Sequence, residues 1–401
     1  MKHLLTAAIL IGAGAAWAVP GTPVVTSAAL EPGSRTMKIV YTLPGDEAAV
    51  VTLTATVGGR TYDVVHAVGA VNSRVAAGAG RVIHWTPADD VPAATYDPSA
   101  ISLNLKAWSL STPPDYMAVS LLAPSCVRYY VSADAVPGGV GDARWKEDWL
   151  LLRRIPAKGV TWRAGCASQD YCWGSGEQNA TNGFQPLRYV TSPADFYIGV
   201  YEVTQGQYMR LANGANPSAV VQSSFTSAMN HYARHQVDWK WHPAEQVTWT
   251  LADAAAASLA AASGLPFGLP TAEDWEFAAR AETQWGTYNG APHNPDRLRP
   301  IACNYQTQNA YYGGTQNVQH PQYACHMPVG ELRPNAYGLY DMVGNVGEWC
   351  AGWFDAGQTT RPIKGGDLHM SGEGLGVGYT RGMAPATANF RYGFRLACAI
   401  P

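Results

Sequence analysis

The sequence predicts an exported protein of two domains, an all-β sandwich followed by an α+β domain. Three observations lead to this fold class. The N-terminal segment is apolar and ends in residues typical of a signal-peptidase cleavage site. Short β-rich runs separated by Gly and Pro occupy residues 24–110. Only two clear helical patterns follow them. The chain of 401 residues is longer than one hydrophobic core usually serves.

The first 18 residues have the features of a signal peptide. Lys2 precedes an apolar run over residues 4–16, and Ala16 and Ala18 form a small-x-small cleavage site. The run is shorter than the roughly 20 residues that a membrane-spanning helix needs. We therefore predict a cleaved signal peptide over residues 1–18, an extracytoplasmic location (periplasm, cell surface or medium) and no membrane span.

The next segment predicts a β-sandwich domain over residues 19–118. Its β-rich runs are Thr36–Leu43, Ala49–Val57, Thr61–Val68, Arg81–Pro87 and Ile101–Leu110. Turn residues such as Gly58-Gly59 separate the runs at the spacing typical of sandwiches. We expect a spacer or docking module here, because the segment has no cluster of acids, histidines or nucleophiles. A linker is predicted over residues 119–150, where Pro and Gly are frequent.

The second domain is predicted over residues 151–401. Its helical patterns are Leu251–Ser263 and Ala272–Glu282, and Thr271 before the second is a suitable N-cap. An apolar strand is expected over Phe196–Val203.

Composition excludes some partners. The formal charge of −3, with charged residues at 14%, favours neither nucleic acid nor an anionic membrane.

The seven cysteines of an exported chain can form disulfides. Their spacing suggests the pairs Cys166–Cys172, Cys303–Cys325 and Cys350–Cys398, with Cys126 left over. Sequence alone does not determine the connectivity.

Four segments then occur together in one order. They are FYIGVYEVTQGQY (196–208), GLPTAEDWEFAAR (268–280), NAYGLYDMVGNVGEW (335–349), and KGGD (364–367) with RYGFRLA (391–397). Together they resemble the formylglycine-generating-enzyme (sulfatase-modifying factor) family, from about Ile155 to the C-terminus. The resemblance implies a C-type-lectin-like α+β fold, in which many ordered loop residues need local fasteners such as disulfides and calcium.

The resemblance also implies a structural calcium site. Its oxygen ligands would be the carboxylate of Asp341 and the carbonyls of Met342, Gly344 and Val346. The alternative is that Asp341 and Asn345 are ordinary turn residues, with Gly344 adopting a positive φ.

The segment after Gly365-Gly366 differs from the corresponding segment that the resemblance implies for catalytic members of the family. Those members have two cysteines there, which bind copper and activate oxygen and the substrate thiol. Here Met370 and Leu375 stand at about those positions, and residues 364–381 contain no cysteine. A thioether cannot replace a thiolate in both copper binding and thiol exchange. We therefore expect neither copper nor catalysis by the family's route.

Polar and aromatic residues are dense around the same segment. The candidates for ligand binding are Trp353, Lys364, Asp367, His369, Arg381, Asn389 and Arg391. Aromatic faces with paired hydrogen-bonding groups are typical of glycan and peptide recognition. Ordinary loop polarity and salt bridges are the alternative interpretation.

The hypothesis from sequence is an exported, non-catalytic family member that binds a glycan, peptide or protein, or acts as a scaffold. A first alternative is a sulfatase-modifying or non-heme-metal oxidoreductase that uses other ligands, such as His369 and His326. A second is a retroelement-diversified lectin-like binding protein, because residues 393–396 read GFRL, as in such tails.

Overall fold

The computed structural model describes residues 20–92, 100–165, 186–219, 238–290, 295–304, 326–370 and 372–400. The chain is mostly β with few helices, and it divides into two compact units, Met1–Pro113 and Pro114–Pro401. None of the described helices is long and apolar enough to cross a membrane.

The N-terminal unit consists of two antiparallel sheets. Its strands are β1 (Val24–Leu30), β2 (Met37–Leu43), β3 (Ala49–Val57), β4 (Arg60–Asp63), β5 (Val68–Gly69), β6 (Ser73–Val75), β7 (Gly78–Trp85) and β8 (Ser102–Trp108). One sheet has the order β1-β2-β7-β5, and the other has the order β4-β3-β6 with β8 also paired to β3. The predicted β-rich runs therefore correspond to strands.

Both sheets contribute to one core. Alternate residues of β2, such as Ile39 and Tyr41, are fully buried, as are Val51 and Leu53 of β3. This period of two is what a strand with one buried face requires. The Tyr41 hydroxyl donates to the Ala70 carbonyl at 2.7 Å, so the buried phenol is hydrogen-bonded.

Within its described residues, the C-terminal unit combines short strands with four α-helices. Its strands are β9 (Tyr116–Ser120), β10 (Val127–Tyr130), β11 (Trp149–Ile155), β12 (Thr161–Ala164), β13 (Arg188–Thr191), β14 (Phe196–Gly199), β15 (Phe267–Gly268), β16 (Gly347–Trp349), β17 (Arg361–Lys364), β18 (Arg381–Met383), β19 (Tyr392–Gly393) and β20 (Ala397–Ala399). Its helices are α1 (Gln205–Leu211), α2 (Trp249–Ser263), α3 (Ala272–Arg280) and α4 (Pro295–Leu298).

Three sheets organise these strands. The largest has the order β10-β9-β11-β14-β20-β15, a second has the order β18-β17-β16-β19, and β12 and β13 form a ribbon. The second sheet carries two of the seven predicted ligand residues, Lys364 and Arg381, and lies against α3, whose Trp275 is fully buried.

Residues 119–150 differ from the predicted linker. They contain β10 and parts of β9 and β11, which pair side by side in the six-stranded sheet. Trp145 is buried and donates its indole N–H to the Gly139 carbonyl at 2.9 Å. Strand pairing and this buried ring hold a Pro- and Gly-rich segment in the second unit, and the division between units falls after Pro113.

The two predicted helices are present as α2 and α3. Thr271 caps α3, because its hydroxyl accepts a hydrogen bond from the Asp274 amide at 3.0 Å. The helix ends at Arg280, earlier than predicted, since Ala281 and Glu282 have left-handed φ values of 43° and 73°.

The predicted Cys350–Cys398 disulfide is wrong. Cys350 follows β16 and packs in the core, whereas Cys398 lies on β20 in the other sheet, and neither is bonded to another cysteine of the described residues. Burial raises the pKa of Cys398 to about 12 and that of Cys350 well above its usual value. The other two predicted pairs include Cys166, Cys172 and Cys325, which lie outside the described residues.

These thiols should differ in reactivity. Cys350 and Cys398 should resist a thiol reagent in the native protein and react on unfolding, because both are buried and their thiolates are disfavoured. Cys126 is half-buried and should react first. Peptide mass spectrometry after timed alkylation, with and without urea, measures this. Recovery of a Cys350–Cys398 bridged peptide would contradict the assignment.

Candidate functional site

A buried ion pair lies at the centre of the second unit. Arg395 and Glu348 are both fully buried, and the guanidinium donates to the two carboxylate oxygens from Nε and Nη2, each at 2.6 Å. The Trp275 indole also donates to Glu348 at 2.6 Å. The remaining guanidinium donors reach the carbonyls of Gly199 and Tyr340, each at 2.9 Å. Every charged group of the pair is therefore hydrogen-bonded, as burial requires.

Two more buried acids lie close to this pair. The Glu202 carboxylate accepts from the Asn345 side-chain amide at 2.6 Å and from the Val346 backbone at 3.1 Å. Burial, together with the negative charges of Asp341 and Glu348, raises the pKa of Glu202 well above its usual range. Burial raises the pKa of Asp341 to about 6. The neighbourhood thus has more carboxylates than the one guanidinium can neutralise.

The predicted calcium segment lies at this acidic neighbourhood. The Asp341 carboxylate accepts from the Gly330 amide at 2.7 Å. Asp341, Gly344 and Asn345 have left-handed φ values of 56°, 77° and 62°. A Cβ on Gly344 would lie 2.5 Å from the Cys303 carbonyl oxygen, so only glycine fits there. The positive φ that the turn interpretation expects of Gly344 is therefore present. The turn interpretation does not account for the burial of the Asp341 carboxylate.

The positions expected to hold catalytic cysteines are occupied by core side chains. Leu375 is fully buried in the core cluster that also contains Trp275, and Met370 packs against the same cluster. The Met370 amide donates to the Asp367 carbonyl at 2.9 Å. Neither position presents a group that could form a copper thiolate.

Five of the predicted ligand residues belong to one cluster. The Asp367 carboxylate is buried, accepts from the His369 amide at 2.9 Å, and lies 3.7 Å from an Arg391 guanidinium nitrogen. Asn389 holds Arg391 by accepting from its amide at 3.1 Å and from its Nε at 3.3 Å. Burial raises the pKa of Asp367, against the opposing charges of Arg391 and, more weakly, Arg381.

This cluster also contains an aromatic residue that sequence reasoning missed. Tyr392 is buried between strands, and its hydroxyl and Asp367 Oδ2 both lack a hydrogen-bond partner within the part of the chain that the structure describes. The His369 ring packs against Phe390, with ring centroids 5.1 Å apart. The RYGFR pattern was the available signal for Tyr392, but it does not tell which way the ring points.

The other two predicted residues, Trp353 and Lys364, line a separate pocket of about 210 Å³ between α3 and β17. The rest of its lining comprises Arg188, Thr271, Ala272, Glu273, Glu276, Ala351, Gly352, Phe354, Pro362 and Thr380. We call it the α3–β17 pocket. Lys364 is buried at its wall, and its ammonium donates to Glu276 at 3.0 Å and to Thr380 at 3.1 Å.

Sequence reasoning missed the partners of Lys364. Glu276 and Arg280 lie one turn apart on α3, and Arg280 donates to Glu276 from Nε at 2.9 Å and from Nη2 at 2.8 Å. Because Glu276 is flanked by two cations, its pKa is lowered despite burial. The i,i+4 spacing of Glu276 and Arg280 was visible in the sequence, whereas the contact with Lys364 depends on the tertiary fold.

The alternative metal ligands His326 and His369 have different neighbours. His326 Nδ1 lies 2.9 Å from His242 Nδ1, and its Nε2 lies 3.8 Å from a Glu245 carboxylate oxygen. His369 lies against Phe390. Across the described ranges, no three His, Cys, Asp or Glu side chains are grouped so that they could hold a metal ion.

The geometry can now be set beside known proteins. Residues 157–400 match the family model described as "Sulfatase-modifying factor enzyme 1-like domain". The chain belongs to this family.

Individual relatives include both active and inactive proteins. The chain is similar to a protein named "Chaperone protein LppX" from Paenibacillus barcinonensis, with 29% identity over 41% of this chain and 65% of the relative. It is 36% identical to a formylglycine-generating enzyme of Thermomonospora curvata, over 29% and 35% of the two chains. It is 33% identical to the "Inactive C-alpha-formylglycine-generating enzyme 2" of Bos taurus, over 32% and 43%. The chain thus spans less than two thirds of the length of each of these relatives.

In this sulfatase-modifying factor domain, the segments around Trp275, Glu348 and Arg395 meet in the ion-pair network. It lacks cysteines in the segment after Gly366, where Met370 and Leu375 complete the core instead.

Arg395→Met should strongly destabilise the second unit. Removing one partner of a buried ion pair costs about 3–5 kcal/mol, because the other charge stays buried without compensation. Urea denaturation measures the loss of unfolding free energy. Arg144→Ala is the matched control, because Arg144 pairs with Asp142 at the surface and should cost about 1 kcal/mol or less. Equal effects of the two substitutions would show that Arg395 does not organise the fold.

Proposed function

We propose that this protein is an exported, non-catalytic member of the sulfatase-modifying factor family that acts by binding a ligand or as a scaffold. The observation that carries the proposal is the seating of Leu375 in the core at a position where a catalytic member has a cysteine. Met370, at the other position, packs against the same core. The side chains at both positions therefore pack in or against the core, and neither supplies a copper-binding thiol.

The remaining sulfur chemistry supports the same conclusion. Copper(I) prefers thiolates, and a thioether such as Met370 cannot ionise or undergo thiol exchange with a substrate. Burial raises the pKa values of Cys350 and Cys398, so neither is a thiolate at neutral pH. Cys350 and Cys398 therefore cannot replace the missing pair.

A binding role and a C-type-lectin-like fold agree with the loop-rich second unit. Trp353 lies in the irregular segment after β16 and Asp367 in the one after β17, and Asp367 lies 3.7 Å from Arg391, which precedes β19. Two relatives are named as a chaperone and as an inactive enzyme, which fits a protein whose work is recognition. A glycan, peptide or protein is the proposed class of partner.

Calcium is the proposed structural cofactor. Three buried carboxyl groups (Glu202, Asp341 and Glu348) lie near the guanidinium of Arg395 and the ammonium of Lys146, and a bound cation would favour the ionised forms of the acids whose pKa values burial raises. The Asp341 carboxylate with the carbonyls of Met342, Gly344 and Val346 would supply the hard oxygens that calcium prefers. Calcium would contribute stability, and no reaction step is assigned to it.

The non-catalytic proposal predicts no formylglycine product. The purified protein is incubated with a Cys-x-Pro-x-Arg peptide, copper and oxygen, beside an active formylglycine-generating enzyme as positive control. We expect no aldehyde above the buffer background, because the chain offers no thiol pair after Gly366. Mass spectrometry with hydrazine trapping detects the product. Turnover comparable with the positive control would overturn the proposal.

The calcium proposal predicts a chelator-sensitive melting temperature. Adding EDTA to the purified protein should lower Tm, and calcium should restore it, because a ligand that binds only the folded state stabilises that state by mass action. Asp341→Ala should remove most of this sensitivity, whereas Asp142→Ala, a surface control, should retain it. Identical Tm values with EDTA and with millimolar calcium would refute the site.

A further inference from the structure

We propose that strand β1 of the N-terminal unit is a self-association site, at which β1 of a second copy of this chain pairs antiparallel to it. The inference goes beyond the function proposed above, because it concerns the unit that lies outside the matched family domain. The free edge of β1 would join the sheets of the two copies. The combined sheet would have the order β5-β7-β2-β1, followed by β1-β2-β7-β5 of the second copy.

The whole of β1 is accessible to solvent. All seven of its residues are exposed, and the exposed fractions of Val24, Val25 and Leu30 are 55%, 37% and 39%. None of its side chains belongs to the core cluster to which β2, β3 and β7 contribute. Within the described residues, it pairs with β2 alone, in an antiparallel register from Val24↔Thr42 to Leu30↔Met37. Both faces and one edge of β1 are therefore open to another strand.

The other edge strands of this unit have features that prevent edge-to-edge association. Natural sheets protect their edges with charged side chains or with very short strands. Charged residues occur on three of these edge strands, since β4 has Arg60 and Asp63, β6 has Arg74 and β8 has Lys106. The remaining one, β5, has only two residues. Among the described edge strands of the unit, β1 alone, with the seven-residue sequence VVTSAAL, has neither protection.

A β-bulge leaves the second half of β1 regular. The register with β2 shifts between Val25 and Ser27, so Thr26 is the extra residue, and its hydroxyl donates to the Val40 carbonyl at 3.0 Å. From Ser27 to Leu30 the pairing with β2 is uninterrupted. An antiparallel strand bonds each neighbour through alternate residues, so the backbone groups of this stretch that face away from β2 can bond another strand.

The absence of charge on β1 favours a second copy as its partner. Association about a two-fold axis places each residue of the strand opposite a residue of the same strand, and like charges in opposite positions are destabilising. A pairing centred between Ala28 and Ala29 would place these two residues opposite each other, and Ser27 opposite Leu30. All of these pairs are uncharged, so β1 can pair with itself without bringing like charges together.

Sedimentation equilibrium of the full chain tests the proposal. Because the regular stretch is short, the pairing is smaller than a standard protein interface, and we expect a monomer–dimer equilibrium between low micromolar and submillimolar concentrations. Ala28→Lys/Ala29→Lys places like charges opposite each other and should raise the dimer dissociation constant by roughly tenfold or more. Both positions are exposed, so the variant should fold, and circular dichroism verifies this.

Charge reversal and a control strand locate the association. Ala28→Glu/Ala29→Glu should also weaken the dimer, but mixing it with the lysine variant should restore association, because each glutamate then lies opposite a lysine. Ser102→Lys/Asn104→Lys adds two lysines at exposed positions of β8 and should leave the dissociation constant unchanged.

Three results would overturn the proposal. The first is a chain that stays monomeric at submillimolar concentration. The second is a dimer that persists unchanged in Ala28→Lys/Ala29→Lys, because the association would then use another surface. The third is a mixture of the oppositely charged variants that fails to associate. None of these results bears on the non-catalytic assignment, which concerns the second unit.

Discussion

The guanidinium of Arg395 connects more elements of the second unit than any single hydrophobic contact could. It reaches Glu348 on β16, the carbonyl at the end of β14, and the Tyr340 carbonyl in the loop before β16. Through Glu348 it also fixes Trp275 of α3. A buried guanidinium must keep all its donors occupied, so these elements can pack only in positions that supply the acceptors. Much of the arrangement of sheet, helix and loops follows from this requirement.

The segment after β17 packs against the same core. Gly365 and Gly366 have left-handed φ values of 87° and 69°, which turn the chain after β17 back toward the core. A Cβ on Gly366 would lie 2.5 Å from the Gly374 carbonyl oxygen, so the two ends of this loop lie close together. Leu375 follows directly and fills the core. The two glycines and Leu375 therefore fix where this loop begins and ends against the core.

Local signals predicted the elements better than the contacts between them. Thr271 identified the start of α3, because capping depends on neighbouring residues alone. The Pro and Gly content of residues 119–150 suggested a linker, yet pairing with distant strands places this segment in a sheet. Local composition does not report such non-local hydrogen bonds.

The site was predicted in composition but not in arrangement. The seven ligand candidates stay a prediction; the structure divides them between the Asp367 cluster and the α3–β17 pocket. Lys364 turned out to be buried, since its partner Glu276 comes from a helix far earlier in the chain. The Cys350–Cys398 pairing failed for the same reason, because spacing does not reveal that the two thiols belong to different sheets.

The central claim is that the framework persists while the copper-binding thiols are replaced by core packing. Titration of the native protein with copper(I), in competition with a calibrated colorimetric chelator, tests this claim most directly. The account predicts that the chelator retains all the copper until the protein is unfolded, because the buried Cys350 and Cys398 are protonated and Met370 offers only a thioether. Withdrawal of one equivalent of copper by the folded protein would contradict it.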